Sequence, residues 1–324
     1  MRAGRTDDVE SQVKTPAWRG GLLRLFFTGA CVVALVAFVD FGRFWADLSR
    51  IEVRSVALAL VLHAMIVALL GWRWRTILGA LGVWRRLDWA IGLTFVATFF
   101  NMLLPFSLGG DIGRVLLGRR SNIDLATGTT VAVFDRVVGL TALALLTLLT
   151  LTLVPSMLAS RGIWMAALLV PGCAVLAALG LAAAVALAKR WEIARRVTDF
   201  AGRFLALVHR PFLLAIMTLQ SLAGHLLAIV LAYVIASGLG LPLTLAQALL
   251  LMPPVLLATA LPLSIGGWGV REAAAVPILG LAGVAPAGAL AISLLFGVTQ
   301  LAMAGVGSLA WLALSRNRAG GPLP

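Results

Sequence analysis

Charge is scarce in this sequence. Asp, Glu, Lys and Arg make up 12% of its 324 residues, against 61% hydrophobic residues. A soluble globular domain carries about 25% charged residues, so with a mean hydropathy of +1.03 the chain reads as a polytopic membrane protein. Lysine is nearly missing: Lys14 and Lys189 stand alone. No Gly-x4-Gly-Lys-Ser/Thr occurs, which excludes a phosphate-binding loop of the ATPase type. The two cysteines, Cys31 and Cys173, both lie in apolar runs, so no disulfide framework is implied. There are three histidines and no Asp-x-Asp, and the loops are short. A membrane-embedded transferase needs a metal-binding carboxylate pair or a nucleophile–base set, and that sparse inventory argues against one. No cofactor or metal is expected.

What the chain has in excess is arginine, and the net charge is +13. In a soluble protein that balance would point to nucleic acid. Here it points to basic loops on the cytoplasmic side, which topology and anionic lipid both favour. No nucleic-acid partner is expected.

Residues 1–21 are polar, mixed in charge and expected to be a disordered cytoplasmic tail. The apolar run Leu22–Phe41 is about 20 residues long, enough to span, and no small-x-small cleavage site follows it. Further spans read at Val53–Gly71, Asp124–Val154, Trp164–Leu187, Phe212–Gly238 and Ala287–Leu314. Trp72-Arg73-Trp74-Arg75 and Trp84-Arg85-Arg86 read as an interface belt. Over residues 188–210, Trp191, Ala194, Val197, Ala201, Phe204 and Val208 recur at three- and four-residue intervals with arginines between them. That spacing predicts an amphipathic helix lying on the membrane surface. Residues 315–324 form a short basic tail.

One stretch occurs twice. Leu104-Pro-Phe-Ser-Leu-Gly-Gly-Asp-Ile-Gly-Arg114 aligns without a gap on Leu261-Pro-Leu-Ser-Ile-Gly-Gly-Trp-Gly-Val-Arg271. Each copy follows an apolar segment, Trp89–Leu104 or Leu245–Leu261, and breaks it with a proline and a glycine pair. Broken backbone at membrane depth is tolerated where it lines a cavity or packs in protein. Matching broken segments in two halves point to a transporter's binding site. The apolar runs repeat as two spans, one motif unit and one span, then the same again. Repeat one covers about 22–154 and repeat two about 163–314, within a single membrane domain, 22–314.

Two readings of the motif units stand, re-entrant helical hairpins or ordinary spans. In the first, the fold is all-α, with about six full transmembrane helices and two re-entrant hairpins in an inverted repeat, eight hydrophobic segments in all. Three crossings then separate equivalent points, so the halves have opposite orientation. With both termini cytoplasmic, 19 of the 26 basic residues fall on inside segments and four outside, which fits the positive-inside pattern. The expected location is the cytoplasmic membrane.

After each glycine pair a short helix can restart, and its unsatisfied N–H groups form an anion site that glycine lets a ligand approach. Arg114 and Arg271 lie at that turn, and arginine holds phosphate through a planar fork of donors. Asp111 and Glu272 are the acids of the two units. They pair with the arginines while the site is empty or touch a cationic headgroup; alternatively, these charges pair only to pin the hairpins. Asp135 and Arg136, neighbours on a helix, point in different directions and each needs its own partner. Arg114 for Asp135 and Asp111 for Arg136 are candidates. Asn101 caps the first hairpin or lines the path. The candidate substrate-binding set is Asn101, Ser107, Gly109, Gly110, Asp111, Arg114, Asp135, Arg136, Ser264, Gly266, Gly267, Arg271 and Glu272, with no catalytic residue. His63, His225 and Gln220 sit at matching places in the two halves, and the histidines read as packed hydrogen-bonders.

At these residues the chain resembles the lysylphosphatidylglycerol synthase transmembrane-domain family, also called flippase-like integral membrane proteins. Asn101-x3-Pro105, Gly109-Gly110-Asp111-x2-Arg114, Asp135-Arg136-x2-Gly139 and Pro262-x-Ser264-x-Gly266-Gly267-x-Gly269-x-Arg271-Glu272 carry the resemblance, over roughly residues 20–315. It implies a lipid-translocating membrane domain. In the multiple peptide resistance factor proteins that domain moves aminoacylated phosphatidylglycerol to the outer leaflet and precedes a soluble aminoacyl-transfer domain. That soluble domain is expected to be absent here, leaving a stand-alone membrane domain and no enzyme. Other members are linked to polyprenyl-phosphate sugars, hopanoids or surface glycans, so the resemblance leaves the substrate open. The expected function is ATP-independent flipping of an anionic phospholipid or polyprenyl-phosphate-linked sugar, its partner a membrane lipid or lipid-linked substrate. The alternatives are a membrane-embedded transferase, or an accessory subunit beside a membrane enzyme that modifies lipid or glycan.

Overall fold

A computed structural model describes residues 51–103, 109–153, 161–188, 194–260, 264 and 266–316, together with Gly42, Trp45, Ala46 and Ser49. The tail 1–21, the run Leu22–Phe41, Ser107 and the end of the chain from residue 317 lie outside the described residues.

Among the described residues ten helices are delimited: α1 (Val53–Ala80), α2 (Leu87–Leu103), α3 (Gly109–Arg119), α4 (Leu125–Leu153), α5 (Arg161–Ala188), α6 (Ala194–Val208), α7 (Pro211–Gly238), α8 (Leu245–Ala260), α9 (Val270–Gly280) and α10 (Pro286–Arg316). No strand occurs among the described residues. Helix suits these apolar runs because it satisfies every backbone group within one segment, which a bilayer requires. Among the described residues five helices, α1, α4, α5, α7 and α10, are long and apolar enough to cross a membrane, and α2 and α8 are shorter apolar helices. This is a multi-pass membrane protein.

α4 and α10 bury about half of their apolar stretch and stand at the centre, whereas α5 buries almost none and lies at the margin. The largest core cluster joins α7 through α10 with parts of α1, α4 and α5, around Ile229, Leu231, Ile235, Leu250 and Ile292. A second gathers α1, α2, α4, α6 and α7 around Trp74, Ile77, Leu78, Phe134, Leu207 and Met217. Small residues let backbones approach within these bundles. At Gly307 of α10, a Cβ would come within 2.6 Å of the Phe95 carbonyl carbon of α2, so any larger side chain would separate the two helices.

Two boundaries differ from the sequence reading. The span read as Val53–Gly71 continues to Ala80, and Arg73 and Trp74, read as belt residues, are buried inside the bundle at 7% and 1% exposure. Trp72, on the other side of the helix, is 47% exposed. The amphipathic segment read as 188–210 is divided instead: α5 reaches Ala188, and the separate helix begins at Ala194. α6 is also more than a surface float. Leu207 is fully buried, Phe204 meets Phe134 of α4 edge-on at 5.4 Å, and Arg203 reaches Asp124 and Thr127 at the start of α4.

Candidate functional site

Both copies of the repeated stretch lead into helices of eleven residues, α3 and α9. They do so differently. α3 begins on its glycine pair, with Gly109 and Gly110 as its first residues. Asn101 Oδ1 accepts from the Gly110 N–H at 3.4 Å, so Asn101 caps this turn from the end of α2. In the second copy Gly266, Gly267 and Gly269 form the turn itself, with φ values of 58°, 83° and 83°, and the helix starts at Val270. These left-handed angles suit glycine, which has no Cβ to clash. The two units touch: a Cβ at Gly266 would lie 2.6 Å from Met102 Cε, at the end of α2. Ser264, in the same turn, is wholly buried.

Around α3 the charges close into a ring. Asp111 accepts from Arg114 Nη2 at 2.5 Å through Oδ1, and from Arg136 Nε of α4 through Oδ2. Asp135, the neighbour of Arg136, turns to α1 and accepts from Arg73 Nε at 2.5 Å and Nη2 at 2.9 Å. Arg73 Nη1 also donates to Ser221 of α7 at 2.8 Å. Trp74, the neighbour of Arg73, lies under Arg114, whose Cζ is 4.6 Å from a ring centroid of the indole. The dipeptides Arg73-Trp74 and Asp135-Arg136 thus hold α3 from two sides. The pairing of Arg136 with Asp111 was legible as a candidate; Arg114 as partner for Asp135 is incorrect. Arg73 takes that place because its planar fork reaches both carboxylate oxygens at once.

The second arginine is enclosed. Arg271 and Glu272 are each 1% exposed. Glu272 Oε1 accepts from Arg271 Nε at 3.0 Å and Nη2 at 2.7 Å, and from Ser293 Oγ at 2.9 Å. Its Oε2 caps the start of α9 by accepting from the Gly269 N–H at 2.6 Å. Arg271 Nη1 reaches Gln300 Oε1 at 3.3 Å, and the guanidinium lies 4.9 Å from the Trp268 ring and 5.7 Å from that of Phe296. Gly297 leaves room for this packing, since a Cβ there would come within 2.6 Å of Trp268 Cη2. The cavity beside Arg271 holds about 10 Å³, no more than one water.

The space lies on the other side. A cavity of about 310 Å³ opens between α3 and α4. Asp111 and Arg136 supply its charged wall and Thr129 a hydroxyl; the remaining lining, from Ile112, Val115, Leu116, Leu125, Ala132 and Val133, is apolar. Ile112, Leu116 and Leu125 are 40–51% exposed, so the apolar rim is open to the surroundings. The wall itself balances one guanidinium against one carboxylate; Arg114, bonded to Asp111 but not lining the cavity, brings the cluster to one net positive charge. The cavity's volume is at the low end for a ligand site, enough for a headgroup or part of a chain.

His63 and His225 are packed hydrogen-bonders, as their apolar surroundings led one to expect. His63 Nδ1 lies 2.8 Å from Thr299 Oγ1, and His225 Nε2 donates to the Gly139 carbonyl at 2.8 Å. Among the described residues no group of three or more His, Cys, Asp or Glu is placed to hold a metal ion.

The sequence reading missed Arg73, Trp74, Ser221, Ser293 and Gln300. A signal for the first two existed: Ala59, His63, Val67, Gly71, Trp74 and Leu78 recur every three or four residues along α1 and are all buried. Nothing in the sequence singled out Ser293 or Gln300, which matter only because α10 packs on α9.

Among curated proteins, none matches the chain. A family model does, the one described as the lysylphosphatidylglycerol synthase TM region, and it covers residues 21–307. With nearly its whole length inside that match, and with the paired glycine–arginine units lying against each other in a helical membrane bundle, the chain belongs to the lysylphosphatidylglycerol synthase TM region family.

Proposed function

We propose that this protein moves an anionic phospholipid or a polyprenyl-phosphate-linked sugar between the leaflets of the cytoplasmic membrane, without nucleotide and without a catalytic step of its own. The cavity between α3 and α4 carries this reading. Its charged wall suits a headgroup, its apolar wall a hydrocarbon chain, and its rim of exposed apolar side chains suits entry from the side, out of a bilayer. The single net positive charge of Asp111, Arg114 and Arg136 complements one phosphodiester. Ionisable groups at membrane depth are costly and mark substrate paths.

The proposal includes an inverted arrangement of the two units, each a re-entrant hairpin, with both chain ends cytoplasmic. Its support is that α2 and α8, of 17 and 16 residues, fall short of the roughly 20 residues a span needs. The contact of Gly266 with Met102 also fits hairpins that meet from opposite sides. Single cysteines near Arg120 and near Gly283, in a background lacking Cys31 and Cys173, test it. An impermeant thiol reagent on intact cells should label only the second, and labelling near Arg120 would defeat the inverted arrangement.

Transport is tested with purified protein in liposomes. The crossing of a fluorescent anionic phospholipid, a polyprenyl phosphate or both should accelerate without ATP. Background rates across both lipid classes would remove autonomous translocation and leave the accessory-subunit reading in front.

A further inference from the structure

Three buried N–H groups around α3 have no hydrogen-bond partner among the described residues: Arg114 Nε, Arg114 Nη1 and Trp74 Nε1. They belong to the two side chains stacked at 4.6 Å, one 9% and the other 1% exposed. A buried donor left unmade is costly, the more so on a charged group. Asp111 does not relieve it. Its Oδ1 accepts from Arg114 Nη2 and its Oδ2 from Arg136, and neither oxygen reaches Arg114 Nε or Nη1.

These donors are one-sided in their chemistry. Guanidinium and indole donate and accept nothing. A water settling there would find partners for its oxygen but none of these three groups for its protons. A cation would be repelled. An anionic oxygen group accepts from all sides, and a phosphate ester offers several such oxygens to a guanidinium fork. Neither Arg114 nor Trp74 lines the cavity between α3 and α4; the link is Asp111, which forms part of the cavity wall and is bonded to Arg114 Nη2.

We infer that Arg114 and Trp74 together form a buried receptor for one phosphate-ester group, with the indole N–H as a specificity-determining donor. This deepens the proposed function, on which it rests, by assigning the phosphate of the lipid to a defined place. It also separates the two units. The first receives ligand; the second, with Arg271 bonded at all three guanidinium nitrogens and only about 10 Å³ of space beside it, holds the fold.

Trp74→Phe tests the receptor because it keeps an aromatic ring under Arg114 and removes the N–H, together with one ring of the indole from a position 1% exposed. The full chain in detergent is titrated with dioleoylphosphatidylglycerol, dioleoylglycerol and inorganic phosphate, read by native mass spectrometry and thermal unfolding. Wild type should bind the phosphatidylglycerol well above the diacylglycerol. Inorganic phosphate that competes would show that the phosphate group alone is recognised; phosphate without effect beside tight phosphatidylglycerol would assign recognition to the lipid-borne ester. Trp74→Phe should bind the phospholipid about tenfold more weakly, the loss of one hydrogen bond to a charged group. Without lipid it should unfold lower than wild type, because the smaller ring leaves a cavity in the core, and phosphatidylglycerol should raise its unfolding temperature by less than it raises that of wild type. Equal affinity of the variant, equal binding of diacylglycerol, or a variant destabilised to the same degree with and without lipid would each overturn the receptor. The liposome rates separate the two levels. Binding that follows this pattern with no translocation by wild type sinks translocation and keeps the receptor. Full translocation by Trp74→Phe does the reverse.

Discussion

Glu272→Ala should leave almost no folded protein. The carboxylate receives four hydrogen bonds, from Arg271 twice, from Ser293 and from the Gly269 N–H, at 1% exposure. Its removal strands a guanidinium between Trp268 and Phe296 with Ser293 and Gln300 as its remaining polar neighbours, and uncaps α9. Breaking a buried pair by deleting one partner costs about 3–5 kcal/mol, and an N-terminal cap adds about 1 kcal/mol. Deleting both charges is cheaper than deleting one, because no unpaired ion remains. Arg271→Ala combined with Glu272→Ala should therefore unfold at a higher temperature than Glu272→Ala alone. Thermal unfolding and monodisperse yield in detergent provide the measure. A Glu272→Ala protein with wild-type stability would mean that Arg271 finds another anion, and would return a binding role to the second unit.

Asp135 and Arg136 are neighbours in sequence with opposite expected sensitivities. Asp135 is 4% exposed and is the carboxylate partner of Arg73, so Asp135→Ala strands a charge between α1, α4 and α7 and should cost about 3–5 kcal/mol. It should also impair lipid binding, because Arg73 sets the position of Trp74. The Arg136 side chain is 38% exposed at the cavity wall. Water and screening weaken its pairing, so Arg136→Ala should cost stability little while slowing transport. Unfolding temperatures and liposome rates measured on both variants check this. Equal stability losses would show that the two side chains act as one structural unit.

Much of the architecture could be read from residues alone. Nearly all the helical segments follow apolar runs, because bilayer-length hydrophobic stretches leave helix as the economical backbone state. The periodicity around Phe204 located α6, and the Pro/Gly-Gly/Arg repeat located both short helices. The errors have a common cause. Trp72-Arg73-Trp74-Arg75 has the composition of an interface belt, and composition does not say which way a residue faces. Extending the 3–4 spacing of α1 beyond Gly71 would have turned Trp74 inward.

The sequence by itself determined that this is a helical membrane protein, where its broken segments fall, and that each carries an arginine beside an acid. Those properties are local: hydropathy, helix breaking and charge act over a few turns of one chain segment. The tertiary structure alone decided that the two matching units are unequal. Arg114 and Arg271 occupy the same place in the motif, yet one keeps two unpartnered donors behind a 310 Å³ cavity and the other is bonded on every nitrogen. That difference comes from which helix packs opposite each. α10 brings Ser293, Phe296 and Gln300 against Arg271, while α1 and α4 bring Trp74 and Arg136 to the first unit and leave space beside it. Partners that lie tens to hundreds of residues away are chosen by packing, and a motif of eleven residues carries no record of them.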